Sequence, residues 1–210
     1  MRFVLLVFTL ICIVSCSDSI ENKSGDKDET EWATQEPKPA AQVEVTSFWT
    51  KSRKEFTVVE KSLSESVSRL TVQATGFPNT KEIFRLNDID PMEAGLMGDL
   101  DADGFEELYL ITRSVGSGSY ATIYGYASYK DKSFGPIYIP EQQEDDPNFR
   151  GYMGHDRISI IDNLLVREFP VFNDGDRNNA PSGGFRSLKY TLEAGEASYI
   201  LKVKEVSSRR

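Results

Sequence analysis

Residues 107–114 read Glu-Leu-Tyr-Leu-Ile-Thr-Arg-Ser, and this stretch gives the clearest indication of the fold. Tyr109 to Thr112 is mostly apolar, which is typical of a strand at the centre of a sheet. Further along the chain, residues 188–192 read Leu-Lys-Tyr-Thr-Leu and alternate between apolar and polar side chains. This alternation indicates a strand with one buried face, so both segments predict β structure.

Outward from this stretch, segments rich in β-branched and aromatic residues recur at short intervals, separated by Gly, Pro, Asn and Asp. We predict strands over Ser68–Thr75, Glu82–Asn87, Glu107–Ser114, Ala121–Lys130, Pro136–Ile139, Arg157–Ile161, Leu164–Phe172, Phe185–Glu193 and Ser198–Val206. Helical periodicity is poor, and Ser47–Glu65 is the one stretch compatible with a helix. The expected fold is all-β, a mostly antiparallel β-sandwich with one or two short helices.

The N-terminus has the features of an export signal. Residue Arg2 supplies a positive charge, and residues 3–14 form an apolar run that is shorter than the about 20 residues a membrane span needs. The run ends Ile13-Val14-Ser15-Cys16, which resembles the lipobox of bacterial lipoproteins, where the cysteine is lipidated and becomes the mature N-terminus. We therefore expect residues 1–15 to be a lipoprotein signal peptide and Cys16 to carry lipid. An ordinary signal peptide or an uncleaved anchor is the alternative.

The residues after Cys16 predict a tether followed by one domain. Residues 17–44 are mostly polar, with eight acidic and three basic residues, and such a stretch cannot bury enough surface to become ordered. We expect a disordered acidic tether over residues 16–44, and a single domain over residues 45–210. Without residues 1–15, Cys16 is the only cysteine, so no internal disulfide is expected. The expected location is the cell envelope, with a lipid anchor in the outer membrane, facing the periplasm or the cell surface.

The charge balance bears on the class of partner. The chain has 33 Asp and Glu against 24 Lys and Arg, a formal net charge of −9. The sequence has no Lys/Arg cluster of the kind that forms a nucleic-acid groove. An acidic surface favours cationic partners instead. Exposed strand edges would permit a homodimer, although no residue identifies one.

The residue types that most enzymes use are scarce. His155 is the only histidine, and it lies between Gly154 and Asp156, where a role in a surface turn is expected. The nucleophile-elbow, zinc and phosphate-loop motifs do not occur. A carboxylate pair of the glycosidase type remains open, but no spacing singles out a pair. We therefore expect a binding protein without catalytic residues.

The loop over residues 99–108 is the main candidate for a metal site. Asp99, Asp101, Asp103 and Glu107 place oxygen atoms at the spacing that calcium needs, with Gly104 at the turn. The loop departs from an EF-hand, because Leu110 stands where the bidentate Glu would be. It resembles the Asp-x-Asp-x-Asp-Gly loop of FG-GAP-like β repeats. The alternative is a metal-free acidic turn closed by Asx hydrogen bonds, and a structural calcium ion is the only cofactor considered.

Two further loops are candidates for binding. Asp174, Asp176 and Asn178 could hold a cation, but a solvent-facing loop is the favoured interpretation. The other loop, residues 114–120, is narrow and rich in glycine, and it ends in Tyr120. It could enter a concave site, because its serine hydroxyls can donate hydrogen bonds and the tyrosine ring can pack where a sugar would lie. The alternative is a flexible hairpin whose glycines serve only the turn.

The order of these segments resembles that in the family of periplasmic inhibitors of i-type (invertebrate) lysozyme. The resemblance extends over about residues 67–193 and rests on these segments: Gly98-Asp-Leu-Asp-Ala-Asp-Gly104, Ser117-Gly-Ser-Tyr120, Leu165-Val-Arg-Glu-Phe-Pro-Val-Phe172, Asp174-Gly-Asp176 and Pro181-Ser-Gly-Gly184. The lipid anchor and the acidic tether are departures from a soluble periplasmic inhibitor.

The resemblance implies a β-sandwich that blocks a host lysozyme. In that family a Ser-Gly-x-Tyr loop enters the active-site cleft, and the matching residues here are Ser117, Gly118, Ser119 and Tyr120. We therefore expect a lysozyme inhibitor. The alternatives are a calcium-stabilised module that binds a glycan or a protein at the cell envelope and, third, a glycan-cleaving enzyme.

Overall fold

The structure is a computed structural model that describes residues 42–143 and 145–210. The signal peptide, the lipidation site Cys16 and most of the expected tether lie outside the described residues. Strand β1 begins at Val43, so the domain starts two residues earlier than the sequence predicts. The described residues belong to one compact unit. No helix in the described part of the chain has the length and apolar content needed to cross a bilayer.

The described residues form twelve strands. Their bounds are β1 Val43–Trp49, β2 Glu55–Ser62, β3 Ser68–Thr75, β4 Phe84–Ile89, β5 Met92–Gly98, β6 Glu107–Arg113, β7 Ala121–Tyr129, β8 Ser133–Ile137, β9 Arg157–Ile161, β10 Leu164–Pro170, β11 Phe185–Ala194 and β12 Tyr199–Arg209. The helical content of these residues is one 3-10 turn, Pro147–Phe149. The all-β prediction is confirmed.

The strands pair into three antiparallel sheets of four strands each. Sheet A has the order β1-β2-β3-β4, sheet B has the order β5-β6-β7-β8, and sheet C has the order β12-β11-β10-β9. Each sheet is a meander, because consecutive strands pair with one another throughout. Each predicted strand overlaps an observed one. The largest displacements are three residues, at the start of β8, before the predicted Pro136, and at the end of β12, after the predicted Val206.

The helix considered for Ser47–Glu65 is wrong, because the segment contains the last three residues of β1 and all of β2, joined by a turn. The burial of β2 alternates between half-buried and buried from Glu55 to Glu60, with Phe56 and Val58 fully buried. This two-residue period places one set of side chains on a core, and a helix would spread the same residues around its circumference.

Sheet B lies between sheets A and C, and β6 shows how. Tyr109 and Ile111 pack into a core shared with sheet C, while Leu108 and Leu110 pack into a second core shared with sheet A. Successive side chains of a strand point to opposite faces, so a strand covered on both sides must be apolar at every position. The central position predicted for residues 109–112 is confirmed. Each such Leu or Ile contributes about 1.5–3 kcal/mol on burial.

Candidate functional site

The loop over residues 114–120 joins β6 to β7 and narrows at its base. The amide of Ser114 donates to the carbonyl of Tyr120 at 2.9 Å, and the amide of Tyr120 donates to the Ser114 hydroxyl at 2.8 Å. Residues 115–117 at the tip are exposed. The strands therefore present a closed, narrow loop with an accessible tip.

Side chains and backbone from distant parts of the chain hold the carbonyls of this loop. Asn178 Nδ2 donates to the carbonyl of Ser117 at 2.7 Å, and the amide of His155 donates to the carbonyl of Gly118 at 2.8 Å. The sequence predicts His155 in a surface turn and Asn178 in a solvent-facing loop, and no sequence pattern indicates that either residue supports residues 117–120. The loop is therefore fixed by its neighbours and does not depend on its own turn alone.

Arg113 provides a third support from the end of β6. Its Nη1 donates to the carbonyl of Ser119 at 2.8 Å, and its Nη2 donates to the carbonyl of Asp156 at 2.8 Å. Ser119 has a φ of 48°, in the left-handed region that most residues avoid. The guanidinium thus satisfies two carbonyls and helps to hold a strained residue of the turn.

Buried charges tie the base of the loop to sheet C. Asp156 is 1% exposed, and its carboxylate accepts from the amide of Ala121 at 3.1 Å and from Arg167 Nε at 2.6 Å. It also accepts from the Tyr152 hydroxyl at 2.9 Å. A buried carboxylate is tolerated only when its lone pairs are filled, and these partners fill them. The network fixes the position from which β7 starts.

Two glycines allow the close packing of the loop. Gly154 has a φ of +85°, and a Cβ atom there would lie 1.9 Å from the carbonyl oxygen of Gly118. A Cβ atom on Gly118 would lie 2.3 Å from the ring of Tyr120. Neither position has room for a side chain. The glycine in the Ser-Gly-x-Tyr segment therefore has a packing role here.

Tyr120 lies at the end of the loop and is 44% exposed. Its ring meets that of Tyr152 edge to face, with 5.6 Å between the ring centroids. This contact orients the Tyr120 ring and leaves part of it exposed to solvent. An aromatic side chain held in this way loses little conformational freedom when it binds a partner.

Two of the segments on which the resemblance rests come together beside this loop. The amide of Val171 donates to the carbonyl of Gly184 at 2.8 Å, which joins the Phe-Pro-Val-Phe segment to the Pro-Ser-Gly-Gly segment. Residues of both segments line a small pocket of about 270 Å³, with His155 and Asn178 on its wall. The sequence places these segments more than fifty residues from Ser117, and only the fold brings them next to it.

The second candidate loop is closed by its own hydrogen bonds. The carboxylate of Asp176 accepts from the amide of Asn173 at 2.8 Å and from the amide of Ser182 at 2.8 Å, and these bonds lower the pKa of Asp176. Asn178 turns instead toward Ser117. The Asp176 carboxylate therefore binds amides of its own loop, while the Asn178 side chain binds a different loop.

The acidic loop does bring its four carboxylates together. Asp99, Asp101, Asp103 and Glu107 each offer an oxygen atom within 4.8 Å of the others. The loop is also closed by its own amides, since Asp99 accepts from the amides of Asp103 and Gly104 at 3.0 Å each. The Asx-type hydrogen bonds of the turn are therefore observed, and the calcium loop stays a prediction.

Glu107 differs from the three aspartates because it is 2% exposed. Its Oε2 accepts from the amide of Leu100 at 2.9 Å and from the Tyr109 hydroxyl at 3.4 Å. Burial, with smaller contributions from the charges of the neighbouring aspartates, raises the pKa of Glu107 to about 8. A cation at the carboxylate cluster would favour the ionised form of this side chain.

Sequence reasoning missed an open groove of about 930 Å³ between β7 and β12. Tyr120, Tyr124 and Tyr138 line it, together with Arg167 and Lys202. Just after the end of β8, Tyr138 forms a parallel bridge with Ile200 of β12. The groove is lined by strands of sheets B and C that lie far apart in the sequence, so no local pattern marks it.

Comparisons with protein-family models, with curated proteins and with solved structures found no match to this chain.

Proposed function

We propose that the chain is a proteinaceous inhibitor of i-type lysozyme that inserts residues 117–120 into the active-site cleft. One observation carries the proposal: an exposed tip whose carbonyls are held by Asn178, His155 and Arg113. Ordering a free loop costs about 1–2 kcal/mol per residue, and a loop that is already held avoids most of this cost on binding.

The chemistry of the tip suits a site with paired carboxyl groups. The Ser117 residue is exposed, and the one side-chain contact at this position uses its carbonyl, so the hydroxyl is available to a partner. Glycoside hydrolysis needs one protonated and one ionised carboxyl group beside the sugar bond. A hydroxyl between them can donate to one and accept from the other. Tyr120 would then occupy the volume of a sugar ring.

The net charge of −9 supports the same proposal, since it would attract a cationic lysozyme. In this proposal lipid on Cys16 holds the inhibitor at the outer membrane, and the chain has no catalytic activity of its own.

The proposal is tested with purified residues 17–210 and a panel of i-type, chicken-type and goose-type lysozymes acting on cell walls. Inhibition of the i-type enzyme alone is expected. Tyr120→Ala should weaken inhibition by about 2 kcal/mol or more, because a central aromatic anchor is removed, and Ser117→Ala should weaken it as well. Trp49→Ala is a matched control, since Trp49 is 59% exposed and lies in sheet A, outside the loop and the groove. An i-type enzyme that keeps its full rate in excess protein rejects the proposal.

A second candidate is a calcium-stabilised envelope module that binds a glycan or a protein. It is favoured by the gathered carboxylates and by the desolvated Glu107 among them. In this case millimolar calcium should raise the melting temperature of the wild type but not that of the variant Asp101→Asn/Asp103→Asn. Retention of the protein on a glycan column should also depend on calcium. This candidate is rejected if calorimetry detects no heat of calcium binding and calcium does not change the melting temperature.

A further inference from the structure

The outer face of sheet A is the face turned away from sheet B, and strand pairing defines its residues. Val43 pairs with Lys61 and Lys61 with Arg69, while Val45 pairs with Val59. These side chains alternate with Phe56, Val58 and Leu70, which point into the core shared with sheet B. No described element packs on the outer face, so its side chains are available to a partner.

The outer face exposes large apolar side chains along β1. Val43 is 56% exposed, Val45 is 62% exposed and Trp49 is 59% exposed. They occupy alternate positions of one edge strand and so lie on the same side of the sheet. Scattered exposed apolar residues are ordinary, but three on one strand face form a patch.

Cationic side chains lie on the same face as this patch. Lys61, Arg69 and Arg85 lie on the outer face and are exposed, and none of them forms an ion pair with another described residue. Glu55, beside Trp49, is the carboxylate of this face, and the Ser47 hydroxyl donates to it at 2.8 Å. The face is therefore cationic, although the whole chain carries −9.

A second copy of the chain fits this face poorly. Two copies packed face to face would bring the unpaired cations of one toward those of the other, which is unfavourable. An anionic bilayer surface complements both features, since cations bind lipid phosphates and tryptophan favours the interface between headgroups and acyl chains. Val43 also marks the end of the face at which the chain arrives from Cys16.

We propose that the outer face of sheet A is a membrane-docking surface that binds an anionic phospholipid bilayer through Lys61, Arg69 and Arg85, with Val43, Val45 and Trp49 entering the interface. The proposal does not depend on lysozyme inhibition, because the face and the Ser117–Tyr120 loop share no residue. It does not require lipid on Cys16 either, since the protein surface itself makes the contacts.

The test uses residues 39–210, which contain the compact unit and in which Trp49 is the only tryptophan. Co-sedimentation with vesicles of about 30% phosphatidylglycerol in phosphatidylcholine is expected, with a blue shift of the Trp49 emission. Pure phosphatidylcholine vesicles should bind much less. Raising sodium chloride from about 0.05 M to about 0.5 M should release the protein, because salt screens the attraction.

The variant Lys61→Gln/Arg69→Gln/Arg85→Gln should lose affinity by about fivefold per cation, or about a hundredfold in total. Its control is Lys189→Gln/Lys202→Gln/Lys204→Gln, which makes the same change of net charge on sheet C and should bind like the wild type. The proposal is overturned by equal binding to both kinds of vesicle, by an unchanged Trp49 emission, or by equal losses in the two triple variants.

Discussion

Gly154 shows how a single residue without a side chain shapes the candidate site. A Cβ atom at this position would collide with the Gly118 carbonyl, and the φ of +85° is also unfavourable for other residues. We predict that Gly154→Ala displaces the loop, destabilises the fold by about 1–3 kcal/mol and weakens lysozyme inhibition. Urea unfolding and the cell-wall assay measure the two effects.

Gly104→Ala is the matched control for this prediction. Gly104 has a φ of +92°, but no atom lies within 4 Å of the Cβ position. The substitution therefore adds backbone strain without a collision, and it should leave inhibition intact. If both alanine variants inhibit equally well, the close packing of Gly154 on the loop has no functional role.

Glu107 makes a pH dependence testable. Its pKa is about 8 in the folded chain, against an ordinary value of 4.5. Between these values the folded chain binds a proton that the unfolded chain has released, so the free energy of unfolding falls as the pH rises from about 5 to about 8. The slope is at most about 1.4 kcal/mol per pH unit.

Glu107→Gln should remove this slope and stabilise the calcium-free protein at pH 8, because glutamine can still accept from Leu100 without a charge. Urea midpoints across the pH range measure it, with Glu196→Gln, an exposed position, as control. The prediction is contradicted if the free energy of unfolding rises with pH over this range. It is also contradicted if Glu107→Gln shows the same fall as the wild type, because the pH dependence then has another source than the buried carboxyl group.

Strand β6 contains a second buried polar residue, Thr112. Thr112 is fully buried, and its hydroxyl has no hydrogen-bond partner among the described residues. Valine has nearly the same shape without the polar group, so we predict that Thr112→Val raises the free energy of unfolding by about 1 kcal/mol. Thr122→Val, on the neighbouring β7 and exposed, should have little effect. A destabilised Thr112→Val would imply that the hydroxyl does have a partner.

Strand β5 shows why some elements escaped prediction. It reads Met-Glu-Ala-Gly-Leu-Met-Gly over residues 92–98, and the glycines and the absence of β-branched residues weaken the local signal. Gly95 is small because a Cβ atom there would lie 2.1 Å from the ring of Phe48 in sheet A. The need for glycine at position 95 arises from Phe48 in another sheet, so a local sequence pattern does not predict it.

At the scale of the whole molecule, sheet B links two cores. Leu70 is fully buried in the core with sheet A, and Leu188 is fully buried in the core with sheet C. We predict one cooperative unfolding transition, because loss of either core exposes a face of sheet B. Leu70→Ala and Leu188→Ala should each cost about 2–5 kcal/mol.

Two probes check this prediction on residues 39–210. Trp49 fluorescence reports on sheet A, while all nine tyrosines follow residue 108 and give a near-ultraviolet circular dichroism signal from the remainder. The two urea transitions should coincide in the wild type and move together in each leucine variant. A leucine variant that shifts only one probe would indicate two independent folding units.

The sequence by itself determined the β class, most of the strands and the position of residues 109–112 at the centre of a sheet. A strand with one buried face alternates apolar and polar residues, and a strand buried on both faces is a short apolar run, so both signals are local. The sequence also located the narrow loop at residues 117–120 and the acidic loop at residues 99–107, since turn formers act within a few residues. Only the tertiary structure decided that the strands form three layers, that Asn178 and His155 support the loop, and that Glu107 is desolvated. These features depend on contacts between residues that are far apart in the chain. A local sequence pattern does not indicate which distant residue will pack against a given position.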